Sequence, residues 1–286
     1  MKVKINPPAS SQNYHRIPEF LLYDLTYGSK RILFHIGFRN NTLTYWSEKQ
    51  QPIIYHPLVL ARFLHFKANY NNKGIVNQLN SFVRMIEDKG YIKEIDFETM
   101  KTLRLYSILN KEENKLYNPK SKYGIIYNFE FEHLLNLHKN KQMPNNVEVW
   151  NVLLVLAYLR EHIVFRPSQD YNSKKNRKKR PETYVAAEYI IAEELGLHRT
   201  TVSKCAEALD EIGIIHHENL VRVIPGTGAI LNGRTLFANK YKYDGFQGYR
   251  LDSNYDYKKE VEEIKRQLKP YGEYGRTTSS NLENLD

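Results

Sequence analysis

Residues 188–215, EYIIAEELGLHRTTVSKCAEALDEIGII, admit few folds. Ile190, Ile191 and Leu195 are apolar at helical intervals, and Ala192 is small where a second helix must cross closely. Gly196 breaks the pattern, as a residue free to take positive φ does at a helix end. Leu197 follows as a plug, and Thr200 or Thr201 is expected to cap the next helix. On that helix Val202, Cys205, Ala206, Leu209 and Ile212 fall on one face. Two short helices joined by a tight turn satisfy all of these positions.

Ala192, Gly196 and Val202 have the small–glycine–aliphatic spacing of a helix-turn-helix, and the stretch resembles that family. The resemblance implies that the first helix braces the second so that its N-terminal turn can enter a major groove. The residues left outward are His198, Arg199, Thr200, Thr201, Ser203 and Lys204. All can donate hydrogen bonds and two are cationic, as phosphates and base edges require. The competing reading is a helical hairpin buried in a core.

Charge agrees with a polyanionic partner. The 286 residues carry 42 Lys and Arg against 32 Asp and Glu, a formal +10. A single cysteine, Cys205, allows no intrachain disulfide and sits on the inner helix face, where it reads as core packing. A reducing cytoplasm fits this usage. The N-terminal MKVKINPPASS has no apolar stretch of the secretory kind, and the longest apolar run, near Val152, is too short to span a bilayer. No membrane partner is expected.

Along the chain, residues 1–16 read as an extended arm with Pro7-Pro8, and residues 17–25 as a short helix beginning after Pro18. Ile32, Phe34, Ile36 and Phe38 alternate with period two, as do Leu43 and Tyr45, so residues 31–46 are expected to form a β-hairpin turning at Asn40-Asn41. Residues 56–66 form a helix opened by Pro57. Residues 73–92 place Val76, Leu79, Val83 and Ile86 on one helical face before Lys89-Gly90 stops the helix. Their ending, MIEDKGYI, echoes LDEIGII at residues 209–215, and both resemble the passage from recognition helix to wing strand in winged helices. Strands are expected over 102–108 and 123–131, and a helix over 129–138. The first half thus reads as a second winged helix, used for DNA contact or for dimerisation. Its outward candidates are Asn77, Gln78, Asn80, Ser81 and Arg84, although no Ala-x3-Gly precedes its helix.

The polar stretch 139–146 is the expected domain boundary, followed by an apolar helix over 147–164. A basic insertion at 166–181 then holds Lys174, Lys175, Arg177, Lys178, Lys179 and Arg180, six cations in seven residues. It is expected to be a solvated tether onto phosphate that makes binding salt-dependent. After Ile215, strands over 220–224 and 235–243 make a wing-like hairpin, from which Arg222, Arg234, Lys240 and Lys242 are expected to reach phosphate or a minor groove. A charged helix over 257–268 and a tail expected to be disordered close the chain.

Catalytic and metal-binding patterns are missing. Gly228 to Thr235 has P-loop spacing with Arg234 in place of lysine, but the residues after it lack helical periodicity, and a P-loop needs a helix N-terminus on the phosphates. His216-His217 are adjacent and on a strand point to opposite faces. No HExxH, CxxC or GxSxG occurs. The expectation is a non-enzyme with no cofactor and no metal.

The fold class expected is α+β, two winged helices in tandem with small antiparallel β-wings, divided as 1–145, 146–256 and a helical tail 257–286. This arrangement resembles plasmid replication initiators, most closely over residues 188–215 and the LFANKY strand. The resemblance implies binding to repeated origin sites on double-stranded DNA, a homodimer, recruitment of host replication proteins, and a cytoplasmic place on plasmid or nucleoid. Two rivals share the DNA contacts: a phage or mobile-element transcriptional repressor and a partition adaptor.

Overall fold

The computed structural model describes residues 3–10, 13–40, 53–67, 73–95, 104–108, 123–163, 181–220, 222–223, 230–231, 233–244 and 250–268. It is a mixed α+β chain with small antiparallel sheets, divided into a smaller unit, residues 17–123, and a larger one, residues 1–16 with 124–286.

The chain opens with β1 (Tyr14–Pro18), and the smaller unit continues with α1 (Glu19–Tyr23), a 3-10 turn (Leu25–Tyr27) and α2 (Arg31–Asn40). Next come β2 (Ile53–Tyr55), α3 (Pro57–Phe63), α4 (Lys73–Asp88), β3 (Ile92–Ile95) and β4 (Arg104–Ile108). The three strands form an antiparallel sheet in the order β2-β4-β3. Residues 31–40 are a helix, which overturns the hairpin expected there; residues 41–50 lie outside the described residues. The alternation misled because Ile32–Ile36 and Phe34–Phe38 are each also i, i+4 pairs. Leu33, which a strand would turn to the other face, is buried with them. A helix buried on every side has no polar face to betray its period.

Arg31 fixes the corner before α2. Its buried guanidinium donates to the carbonyls of Leu21, Leu22 and Gly28, which include two carbonyls from the last turns of α1. Burial lowers its pKa to about 10, while the charge of Asp24 acts to raise it.

In the larger unit β5 (Tyr123–Tyr127), which pairs with β1, leads into α5 (Asn128–Lys139), a 3-10 turn (Pro144–Asn146) and α6 (Val149–His162). The strand expected to run to Phe131 stops at Tyr127, where Glu130 accepts the Tyr127 N–H and closes the start of α5. The polar stretch 139–146 lies inside this unit. Then come β6 (Thr183–Ala186), α7 (Glu188–Leu195), α8 (Arg199–Ile212) and β7 (Ile215–Asn219). A two-residue pair, β8 (Arg222–Val223) with β9 (Ile230–Leu231), precedes β10 (Thr235–Asn239). The sheet order is β6-β10-β7, again antiparallel. β11 (Tyr243–Asp244) pairs with β12 (Arg250–Leu251), and α9 (Tyr257–Gln267) ends the described chain.

The apolar stripe of α9, Val261 and Ile264, is covered by Leu220, Leu236 and Ala238 of the sheet, so this charged helix belongs to the larger unit's own core. The N-terminal arm docks on the same unit. Ile5 N–H bonds the Ile212 carbonyl, Leu251 N–H the Ala9 carbonyl, and the Tyr243 hydroxyl the Pro8 carbonyl.

One plan occurs twice: strand, helix, 3-10 turn, helix, strand, two helices, then two sheet strands, between which the second copy carries the short pair β8–β9; the last of these strands is central in each three-stranded sheet. The buried faces agree residue by residue. Leu79, Phe82, Val83, Met85 and Ile86 of α4 match Val202, Cys205, Ala206, Ala208 and Leu209 of α8 at a constant sequence offset. Leu60, Ala61 and Leu64 match Ile191, Ala192 and Leu195 at a second one. There the left-handed residue after the helix is Gly196 (φ 66°) in one copy and His65 (φ 59°) in the other. The small residue expected before a helix-turn-helix is therefore present in the first half as Ala61, with histidine in the glycine place.

Candidate nucleic-acid interface

The turn between α7 and α8 is built by backbone geometry. Gly196 takes the left-handed conformation, and Leu197 N–H bonds the Ala192 carbonyl at 2.8 Å. Ile191, Ala192 and Leu195 form the inner stripe of α7; Ile190, expected with them, is 37% exposed beside Tyr189 at 59%. One residue off the stripe is a rotation of about 100°, which carries Ile190 to the rim.

The cap of α8 is His198, not Thr200 or Thr201. Its imidazole Nδ1 accepts the Thr200 N–H and lies 2.8 Å from the Thr200 hydroxyl. α8 begins at Arg199, so the extended residue before it faces the orphan N–H groups and both threonines fall in the first turn. Val202, Cys205, Ala206, Ala208, Leu209 and Ile212 are buried, and burial pushes the Cys205 thiol up to about 12. From the turn before α6, the Asn145 side chain donates to the Lys204 carbonyl and to Glu207. No local sequence signal marks Asn145 as a brace for α8.

His198, Arg199, Thr200 and Lys204 are exposed, and Thr201 and Ser203 are half-buried. Six donors thus share the N-terminal half of one helix. Buried Glu188, the first residue of α7, lies 4.0 Å from Arg199 Nε and 3.3 Å from His217 Nε2, so a carboxylate backs the arginine from below.

The remaining candidates are dispersed. Lys240 pairs with Asp210 at 2.8 Å and donates to its carbonyl, toward the other end of α8. Lys242 is buried, with its ammonium on Glu182 (2.9 Å) and Asp252 (3.6 Å), which corrects its expected phosphate contact. Partners far apart in sequence turn an apparent surface lysine into a core cation. Arg234 is half-buried and Arg222 lies in β8. Lys174, Lys175, Arg177, Lys178, Lys179 and Arg180 lie outside the described residues, as do Gly228, Ala229 and Asn232 of the P-loop-like segment. That segment leads into strand β10 rather than into a helix.

On α4, Asn77, Gln78, Ser81 and Arg84 are exposed. Half-buried Asn80 accepts the Tyr55 hydroxyl at 2.8 Å, and Gln78 Oε1 accepts Lys30 Nζ at 3.2 Å. Among the described residues no group of three His, Cys, Asp or Glu could hold a metal ion, and no helix is long and apolar enough to cross a membrane.

No protein-family model, curated protein or solved structure matches the chain.

Proposed function

We propose that this chain is a sequence-specific double-stranded DNA-binding protein built of two winged-helix modules in tandem. In this reading it initiates replication of a plasmid or other mobile element from repeated origin sites. The observation that carries the reading is α8. A helix braced through a left-handed glycine turn offers His198, Arg199, Thr200, Thr201, Ser203 and Lys204 from its N-terminal half, the geometry with which a recognition helix meets base edges. The repeated element order, with the last strand central in each sheet, supports the winged-helix assignment. α4 and α8 then take the recognition place, and β3–β4 and β7–β10 the wing. A formal +10 supports a polyanionic partner. Two modules on one chain suit an origin built of repeats, worked on in the cytoplasm with host replication proteins.

The test is footprinting of the full chain on its own genetic neighbourhood at two salt concentrations. Several evenly phased protected repeats are expected. A single protected palindrome over a promoter would instead make the protein a repressor, and no protection at either salt would overturn sequence-specific binding. Arg199→Ala and Lys204→Ala are each expected to weaken the protected site by about 1–3 kcal/mol while leaving non-specific DNA binding nearly unchanged. Equal losses on all sequences would remove α8 as the reading helix.

A further inference from the structure

We infer that the smaller unit is a second reading head with a different base preference: α4 reads adenine through the carboxamides of Asn77 and Gln78, whereas α8 reads guanine through Arg199 and Lys204. The inference rests on the DNA-binding reading above and goes further by assigning base classes to named side chains.

The register between the copies supplies the first argument. At the offset that superposes the buried faces of the two helices, Asn77 and Gln78 occupy the places of Thr200 and Thr201, and Ser81 that of Lys204. The same helix face is therefore presented in both units, with α4 beginning at Lys73, three residues before the place matched to Arg199. Its chemistry differs. Ile75 and Val76, both half-buried, stand where α8 has His198 and Arg199. The polar work of α4 thus falls on amides and a hydroxyl. A carboxamide offers one acceptor and one donor side by side, which fits adenine N6–H and N7. A guanidinium or ammonium offers donors only, which fits guanine O6 and N7.

Gln78 is also oriented. Lys30 Nζ donates to its Oε1 at 3.2 Å, which fixes the oxygen toward the start of α2 and leaves one lone pair of that oxygen for an adenine amino group. The side-chain NH2 is then the donor to N7. In the larger unit the equivalent flank is closed, because Asn145 of the preceding turn lies against Lys204. In the smaller unit a cleft of about 560 Å³, lined by Ser29, Lys30, Phe34, Gln78 and Ser81 among others, opens there instead. With Lys30 lining the cleft and Arg84 exposed on the same helix, this face has the charge for duplex DNA and room for a base edge with its phosphate.

The experiment is selection of the full chain against a random duplex library, with sequencing of the bound fraction. The wild type is expected to enrich a two-part motif, guanine-bearing in one part and adenine-bearing in the other. Asn77→Ala with Gln78→Ala should cut the adenine preference roughly tenfold and spare the guanine part, and Arg199→Ala should do the reverse. Gln78→Glu, an acceptor-only side chain on an exposed position, should shift that adenine toward cytosine, a change that no folding defect produces. A guanine-only motif, or one insensitive to Asn77 and Gln78, overturns this inference and leaves the proposed function standing. No enriched motif at all overturns the proposed function itself.

Discussion

Glu130→Ala tests what holds the larger unit together. Glu130 is fully buried, and its carboxylate accepts from the Tyr127 N–H, from two nitrogens of Arg160 and from the Tyr241 hydroxyl. Arg160, its side chain buried, also donates to the Ile125 carbonyl (2.9 Å) and Asn239 Oδ1 (3.2 Å) and lies over the Tyr127 ring, 5.1 Å from its centroid. Burial acts to lower the guanidinium's pKa; the charge and hydrogen bonds of Glu130 more than offset that and hold it above its ordinary value. The substitution leaves a buried cation on two neutral acceptors and orphans the Tyr241 hydroxyl. Breaking such a pair from one side costs about 3–5 kcal/mol, and about 4 kcal/mol is expected here.

Equilibrium urea unfolding measures this cost. Trp150, in α6, reports the larger unit in a Trp46→Phe background, since the chain has only two tryptophans. Glu130→Leu with Arg160→Met removes both charges at once. It should recover most of the loss, because an apolar pair of similar volume avoids desolvating two ions. A cost below about 1 kcal/mol for Glu130→Ala, or a double variant weaker than the single, would refute the reasoning.

Two further outcomes are expected. Gly124→Ala should destabilise the same transition by about 2–3 kcal/mol, because a Cβ there would sit 2.3 Å from the Ala157 carbonyl oxygen, a backbone atom of α6 that cannot turn aside; an unchanged midpoint would remove the close approach. Cys205, its pKa raised by burial from an ordinary 9.0 to about 12, should resist alkylation at pH 8.5 in the native chain and react promptly in urea. Because the unfolded thiol ionises first, its contribution to stability is complete below about pH 9 and is lost between pH 9 and 12. Labelling of the native chain at the free-thiol rate would contradict that burial.

The parts of this chain legible from sequence are those where one face is wet. α4 and α8 alternate apolar and polar residues with a clean helical period and stop at Gly90 and Gly213, both in left-handed backbone. α2 is illegible as a helix because residues 31–38, Arg31 and His35 included, are all buried, so no wet face sets the period. The likeness of α3 and α4 to α7 and α8 is hidden for a different reason. His65 takes a left-handed φ that side chains other than glycine seldom adopt, and nothing in HPLVLARFLHF announces it beyond Ala61 between Leu60 and Leu64. Lys242 and Asn145 depend on partners at Glu182, Asp252 and Lys204, and pairings at such sequence distance leave no local trace.

The two copies also differ in a way that side-chain volume explains. At matched inner positions α4 carries Phe82, Val83 and Met85 where α8 carries Cys205, Ala206 and Ala208. Small residues let neighbouring elements approach α8 closely, and there Asn145 reaches a helix carbonyl and seals the flank. Around α4, Phe82 and Phe34, whose ring centroids lie 5.8 Å apart, line a cleft, and Lys30 from the turn before α2 donates to Gln78 at 3.2 Å. The cleft in the smaller unit lies beside these larger core residues. Lys30 thus ties the turn before α2 to the exposed face of α4, next to the Phe34–Phe82 pair of its core.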